Sequence, residues 1–235
     1  MSTTFFDPRS VPVSSVDAHL PAVPASVLQA SALTQRFAQP LADWKPEIHG
    51  EPRFTNRAPA EAAVLIPLVV RAQGLQVLLT ERSRNLSSHS GQISFPGGKI
   101  DPEDANPVHA ALREAEEEIG LHADHITVIG SLPIYVTGSA FIVTPVVALV
   151  AEQYHVTPNP HEVADVFEVP LDFLMNPAHH RRHTTLWDGK PREWLSMPYY
   201  DPLQQTERYI WGATAGMLRN FYRFLSVDLD VYLGL

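Results

Sequence analysis

From Ala62 onward the chain is organised as apolar runs separated by short polar turns. AAVLIPLVV and LQVLLTER are rich in aliphatic and β-branched residues and flank the short AQG turn, a pattern that predicts a hairpin. ITVIGSLPIYV and FIVTPVVALV read as further strands, and neither approaches the ~18 apolar residues of a membrane span. EVADVFEVPLDFLM predicts an extended segment running into a helix. ERYIWG predicts a strand, and ATAGMLRNFYRFL a helix with Met217, Leu218, Phe221 and Leu225 at helical spacing. Strands alternate irregularly with few helices, which favours an α/β (α+β) fold with a mixed sheet between helices.

Residues 1–58 differ. They are rich in Pro, Ser and Ala and show little periodicity, except that Val27, Leu28, Ala32, Leu33 and Phe37 of PASVLQASALTQRFAQPL share one helical face. We read 1–58 as an N-terminal extension carrying one helix and 59–235 as the main domain. Two roles stay open for that helix: a homodimer contact, or packing on its own domain.

A further helix is sharply bounded. Asn106 suits the N-cap, Pro107 the first helical position and Gly120 the position just past the end. Between them Val108, Ala111, Leu112, Ala115 and Ile119 form one narrow apolar stripe, the predicted buried face. Glu114, Glu117 and Glu118 span roughly 100° on the other side, and Glu116 falls away from them.

Composition narrows the function. Hydrophobic residues make up 45% and charged residues 18%, ample for a core. A net charge of −9 argues against non-specific nucleic-acid binding. The absence of cysteine excludes disulfides, thiolate zinc sites and cysteine nucleophiles, and agrees with a reducing cytoplasm. MSTTFFDPRS has no basic region followed by an apolar one, so neither a secretory signal nor a membrane partner is expected. Against this background the clustered glutamates stand out, because like charges at i,i+4 cost a few tenths of a kcal/mol. On charge alone they read as a solvated face. Alternatively, three carboxylates on one stripe converge on a hard cation, Mg²⁺ or Mn²⁺, which relieves the repulsion. Arg113, four residues before Glu117, is placed to pair with it.

The neighbours favour the second reading. Gly98 lies fifteen residues before Arg113, in FPGGKIDPED, where paired glycines permit positive φ and close backbone approach to a ligand. GGKIDPEDANPVHAALREAEEEIGL resembles the Nudix box, whose signature runs G-x5-E-x7-R-E-U-x-E-E-x-G-U with U aliphatic. Arg113, Glu114, Ala115, Glu117, Glu118, Gly120 and Leu121 follow its second half, with Ala115 a mild variant. In the first half Asp104, or its neighbour Glu103, stands nearest the family's first glutamate, in a loop one residue longer. The preceding LLTERSRNLSSHSGQISFPGGK is similar to the segment ahead of the box in coenzyme A pyrophosphatases. Leu78, Leu79, Thr80, Arg82, Ser83, Gly91, Phe95, Pro96, Gly97 and Gly98 agree with it. Ser87 stands where that pattern has a second arginine, with Arg84 nearby. The resemblance covers roughly residues 60 to 225.

This resemblance implies a Nudix fold and a metal-dependent pyrophosphatase acting on a small nucleotide substrate. Coenzyme A or its thioesters come first, with ADP-ribose or another nucleotide sugar as the alternative. A Nudix-fold binding module without turnover is the reading from another class, although its usual mark, a damaged REUxEE, is missing. The metal ligands implied are Glu114, Glu117 and Glu118, with the Gly98 carbonyl as an addition, and the ion Mg²⁺ or Mn²⁺. Glu114 and Glu162, the latter in NPHEV, are the candidates for general base. Arg82, Lys99 and Arg84 are candidates for holding phosphates, although Arg82 could equally pair with a box glutamate. HHRRH, His179 to His183, reads as a surface loop or as a site for the ribose 3′-phosphate. Trp211 reads as a core aromatic rather than a stacking platform.

Overall fold

The computed structural model describes residues 7–39, 44–84, 90–187 and 189–227. Its central element is the expected hairpin, β2 (Ala60–Val69) and β3 (Gln76–Arg82), antiparallel with Leu68 opposite Val77. β2 also runs parallel to β8 (Phe141–Val150) along its whole length, from Ala60 opposite Phe141 to Val69 opposite Val150. Around these three strands an eight-stranded mixed sheet is completed by β4 (Ile93–Ser94), β5 (Gly97–Lys99), β6 (Ile126–Ser131), β7 (Tyr135–Val136) and β9 (Val163–Pro170).

Both faces of this sheet are covered, which is why its central strands are nearly unbroken apolar runs rather than alternating ones. Ala63, Leu65 and Val69 of β2 point to one face and join Ala110, Ala111, Ala115 and Ile119 of helix α2 (Pro107–Ile119). Ala62, Ile66 and Leu68 point to the other and join Met217, Leu218, Phe221 and Leu225 of α4 (Gly212–Ser226). The short helix α3 (Leu171–Leu174) follows directly on β9. No helix among the described residues is long and apolar enough to cross a membrane.

The α4 side holds a layer that the apolar pattern does not reveal. β1 (Val13–Val16), β10 (Arg181–Trp187), β11 (Lys190–Asp201) and β12 (Thr206–Trp211) form a separate four-stranded antiparallel sheet. The mixed sheet between helices that the pattern favours is thus present, and this second sheet is added to it. Leu195, Met197 and Ile210 carry the second into the common core. Helix α1 (Ala30–Ala38) packs on its own chain: Leu33 is fully buried, and the Phe37 ring lies 4.6 Å from Phe224 and 6.2 Å from Phe221. The segment before β2 is equally bound in, because Asn220 of α4 accepts the Ile48 N–H (3.0 Å) and donates to the Ile48 carbonyl (2.7 Å).

Candidate active site

The α2 signals act as the sequence implies. The Asn106 side chain accepts the His109 N–H (3.0 Å), and Gly120 takes the left-handed conformation (φ 65°) that ends the helix. The five-membered apolar stripe is less even than its spacing suggests, since Val108 and Leu112 are only partly buried while Ala110 is fully buried. The glutamates separate more sharply. Glu118 is 4% exposed, the Glu114 side chain 17% and the Glu117 side chain 60%.

Glycine-dependent packing sinks the first two. At Gly97 (φ 154°) a Cβ would collide with the Ala63 carbonyl and stand 2.6 Å from the Val64 Cα, so only glycine lets β5 lie against β2 here. Gly97 then donates its N–H to Glu118 Oε2 (3.1 Å). At Gly98 a Cβ would stand 2.5 Å from the Glu114 carboxylate, which occupies the space that side chain would fill. On the opposite side the loop before β9 is docked on the end of α2. Thr157 donates to the Ile119 carbonyl (2.7 Å) and Asn159 to the Glu118 carbonyl (2.8 Å), which brings Glu162 over the helix.

These elements enclose a cavity of about 940 Å³ whose lining includes Arg82, Lys99, Glu114, Glu118, Glu162 and the Gly97–Gly98 backbone. Burial pushes the Glu118 carboxyl up to about 7 despite the Gly97 N–H and the Arg82 guanidinium 3.5 Å away, with Glu114 and Glu162 adding repulsion. Burial raises Glu114 as well, against the pull of Arg113. Arg82 therefore pairs with a box glutamate, and its Nε is buried without a hydrogen-bond partner among the described residues.

Glu117 is turned out of this cavity lining and holds Arg113 (2.9 Å). The same guanidinium reaches Glu114 (3.1 Å), the Lys99 carbonyl (3.2 Å) and both oxygens of Asp104 (3.1 and 2.9 Å). The Asp104 side chain is 1% exposed, and the Arg113 and Asp101 N–H groups hold its carboxyl down at about 2. In this longer loop Asp104 thus anchors the arginine that orients Glu114, while Glu103 is exposed. Arg84 is exposed and away from the cavity lining. Ser87 lies outside the described residues.

HHRRH is neither a surface loop nor part of the cavity wall. It runs into β10, with His180 and His183 buried and Arg182 bound to Asp17 (2.8 Å) and Glu47 (2.7 Å). Trp211, read from the sequence as a core aromatic, lines the cavity, as do Phe54, Arg192 and Trp194, three residues that no local sequence signal singled out.

The donor set suits a hard divalent cation: all ligands are oxygens, and a buried carboxylate is only partly satisfied by its neighbours. Among the described residues no three Asp, Glu or His side chains form a finished ligand set. A divalent ion held here would need further ligands from water, backbone or substrate phosphate, as is usual for Mg²⁺.

A model of the NUDIX domain matches residues 59–188. Over 177 residues the chain is 41% identical to the uncharacterized Nudix hydrolase NudL of Citrobacter koseri, covering 74% of this chain and 85% of the relative. Over 163 residues it is 35% identical to the peroxisomal coenzyme A diphosphatase of Mus musculus, covering 69% of each. Among solved structures, the Nudix hydrolase RenU of M. smegmatis is similar at 29% identity and a TM-score of 0.41, over 52% of this chain and 73% of that one. The chain belongs to the Nudix hydrolase family, a family of enzymes that generally use divalent metals.

Proposed function

We propose that this protein hydrolyses the pyrophosphate of coenzyme A or its thioesters, giving 3′,5′-ADP and 4′-phosphopantetheine or its acylated form. The observation that carries this reading is the meeting of two sequence segments in one cavity. Arg82, Phe95, Gly97 and Gly98, from the segment similar to coenzyme A pyrophosphatases, line the same space as Glu114 and Glu118 of the box. The cavity's 940 Å³ is at the upper end of the usual ~300–1,000 Å³ for small-molecule sites, which suits a long substrate. The 35% identity to a coenzyme A diphosphatase supports the same choice.

In the reaction an oxygen of water bonds to one phosphorus, the bridging P–O bond breaks, and the water's proton passes to a carboxylate. Glu162 and Glu114 both line the cavity and are the two candidates for that base. Mg²⁺ or Mn²⁺ held by Glu114, Glu118 and the Gly98 carbonyl, with Glu117 one turn away, would neutralise the pyrophosphate and lower the pKa of the attacking water. Arg82 and Lys99 bring positive charge to the substrate phosphates, and Arg113 fixes Glu114 from behind.

Incubation with coenzyme A, an acyl-coenzyme A, ADP-ribose and a nucleotide sugar, each with and without Mn²⁺, tests this. Metal-dependent release of 3′,5′-ADP is expected. Turnover of ADP-ribose without coenzyme A would move the protein to the alternative substrate class, and absence of turnover throughout would favour a binding module.

A further inference from the structure

The cavity has a second wall, built from residues on both sides of the family match at 59–188: Phe54 before it, and Arg192, Trp194 and Trp211 after it. None of these carries the carboxylate chemistry, yet the chain fixes them firmly. Residues 48–54 form a strap beside β7. Val136 donates to the His49 carbonyl (3.2 Å), Glu51 to the Val136 carbonyl (2.8 Å) and Phe54 to the Gly138 carbonyl (3.0 Å). The Glu51 carboxylate accepts the Gly138 N–H (3.0 Å) and the Tyr135 hydroxyl (3.3 Å), and Asn220, 2% exposed, clamps Ile48 from α4.

At the end of this anchored backbone Phe54 is 54% exposed. It rests on Gly138, where a Cβ would stand 2.5 Å from the ring. The Arg192 guanidinium carbon lies 5.4 Å from the ring centroid. Trp194, two residues along β11 and so on the same face of the strand, is stacked on His183 (5.3 Å, 8° between planes). His183 is itself held by the Ser196 hydroxyl (2.8 Å) and the Val11 carbonyl (3.0 Å). The wall therefore presents two supported aromatic rings, Phe54 and Trp194, with the Arg192 guanidinium over the first.

Flat rings stack on a nucleobase at little conformational cost, and a guanidinium takes a phosphate through two parallel N–H bonds. We infer that Phe54, Arg192 and Trp194 form the subsite for the nucleotide end of the substrate, with Phe54 and Trp194 meeting the base and Arg192 a phosphate outside the pyrophosphate. The subsite rests on the coenzyme A reading only for the identity of that phosphate, which is then the ribose 3′-phosphate.

Titration calorimetry of the full chain with 3′,5′-ADP and with 5′-AMP separates the two questions, because binding needs no turnover. The wild type should bind 3′,5′-ADP about tenfold or more tightly than 5′-AMP, the scale of one charge-assisted contact. Arg192→Ala should abolish that preference, and Phe54→Ala should weaken both ligands by about tenfold. In turnover the same variants should raise KM for coenzyme A rather than lower kcat, with unchanged melting temperatures showing that they fold. Arg192→Ala retaining the preference, Phe54→Ala binding both ligands as the wild type does, or a wild type that binds neither would overturn the subsite. An intact preference without coenzyme A hydrolysis would instead leave the subsite standing and refute the substrate assignment.

Discussion

The Glu114 carboxylate occupies the space that a side chain at Gly98 would fill, with its atoms 2.5 Å from where that Cβ would be. Glycine at this position therefore sets where a box carboxylate sits, independently of any ligand contact made by its own carbonyl. The conflicting atoms are the far end of a flexible side chain, so Gly98→Ala should displace Glu114 rather than unfold β5. We expect kcat to fall by about 10²-fold, the scale of a misplacement near 1 Å, with the melting temperature lowered by only a few degrees. Parallel turnover and melting measurements check this, and wild-type kcat in the variant would show that the Glu114 position is not critical.

Glu118 links function to stability. Its folded-state carboxyl, at about 7, lies above the ordinary 4.5. Its contribution to folding is thus fully present below pH 4.5 and is lost as pH rises through 7. Without divalent ions at pH 8 the buried charge costs up to about 3 kcal/mol. Glu118→Gln removes it while keeping an acceptor for the Gly97 N–H. In chelator the variant should melt several degrees above wild type at pH 8, with the gap closing by pH 5. Its kcat should drop by about 10²-fold or more, and Mg²⁺ should stabilise the wild type but not the variant. Equal melting curves at both pH values would remove the electrostatic part of this argument.

How much of this was legible depended on how local each signal is. The bounds of α2 were, because Asn106, Pro107 and Gly120 act within one turn of themselves. The β2–β3 hairpin was, because both strands are buried on two faces and read as apolar runs. The different fates of Glu114, Glu117 and Glu118 were not. Their spacing is that of one stripe, and only β5 and the loop at 157–162 decide which of them is buried.

The second sheet was missed for a related reason. RRHTTLW and KPREWLSMPYYD carry charges and prolines where an apolar alternation would announce strands. Their polar side chains are satisfied by partners far away in sequence, such as Asp17 for Arg182 and Ser196 for His183. The same distance hid Phe54 and Arg192, which meet only because the strap and β11 converge on the cavity.

That long-range network yields an acid-stability prediction. His180 is fully buried, and its Nε2 lies 2.8 Å from the Leu174 carbonyl, while Nδ1 lies 3.1 Å from the Arg219 guanidinium. Neutral His180 protonated at Nε2 satisfies both neighbours. A second ring proton would face Arg219, with Asp17 as the countercharge and His179 and the Tyr222 ring nearby. Burial, with Arg219 adding repulsion, pushes His180 down to about 4, so this part of the stability is complete above pH 6.5 and lost as pH falls toward 4, about 3 kcal/mol in all. Burial works to raise Asp17 and Glu47, but hydrogen bonds from Arg182 to both and from Arg219 to Glu47, with the Arg219 charge beside Asp17, prevail and hold both carboxyls low, so their stabilisation fails at lower pH still. His180→Gln can donate to Leu174 and accept from Arg219 without titrating. Denaturant unfolding between pH 7 and 4.5 should therefore show a shallower loss of stability in the variant, and parallel curves would exclude His180 as the group responsible. Because Glu47 belongs to this network and leads directly into the strap, acid should also loosen the wall that carries Phe54. A pH-dependent rise in KM that His180→Gln suppresses would show that coupling.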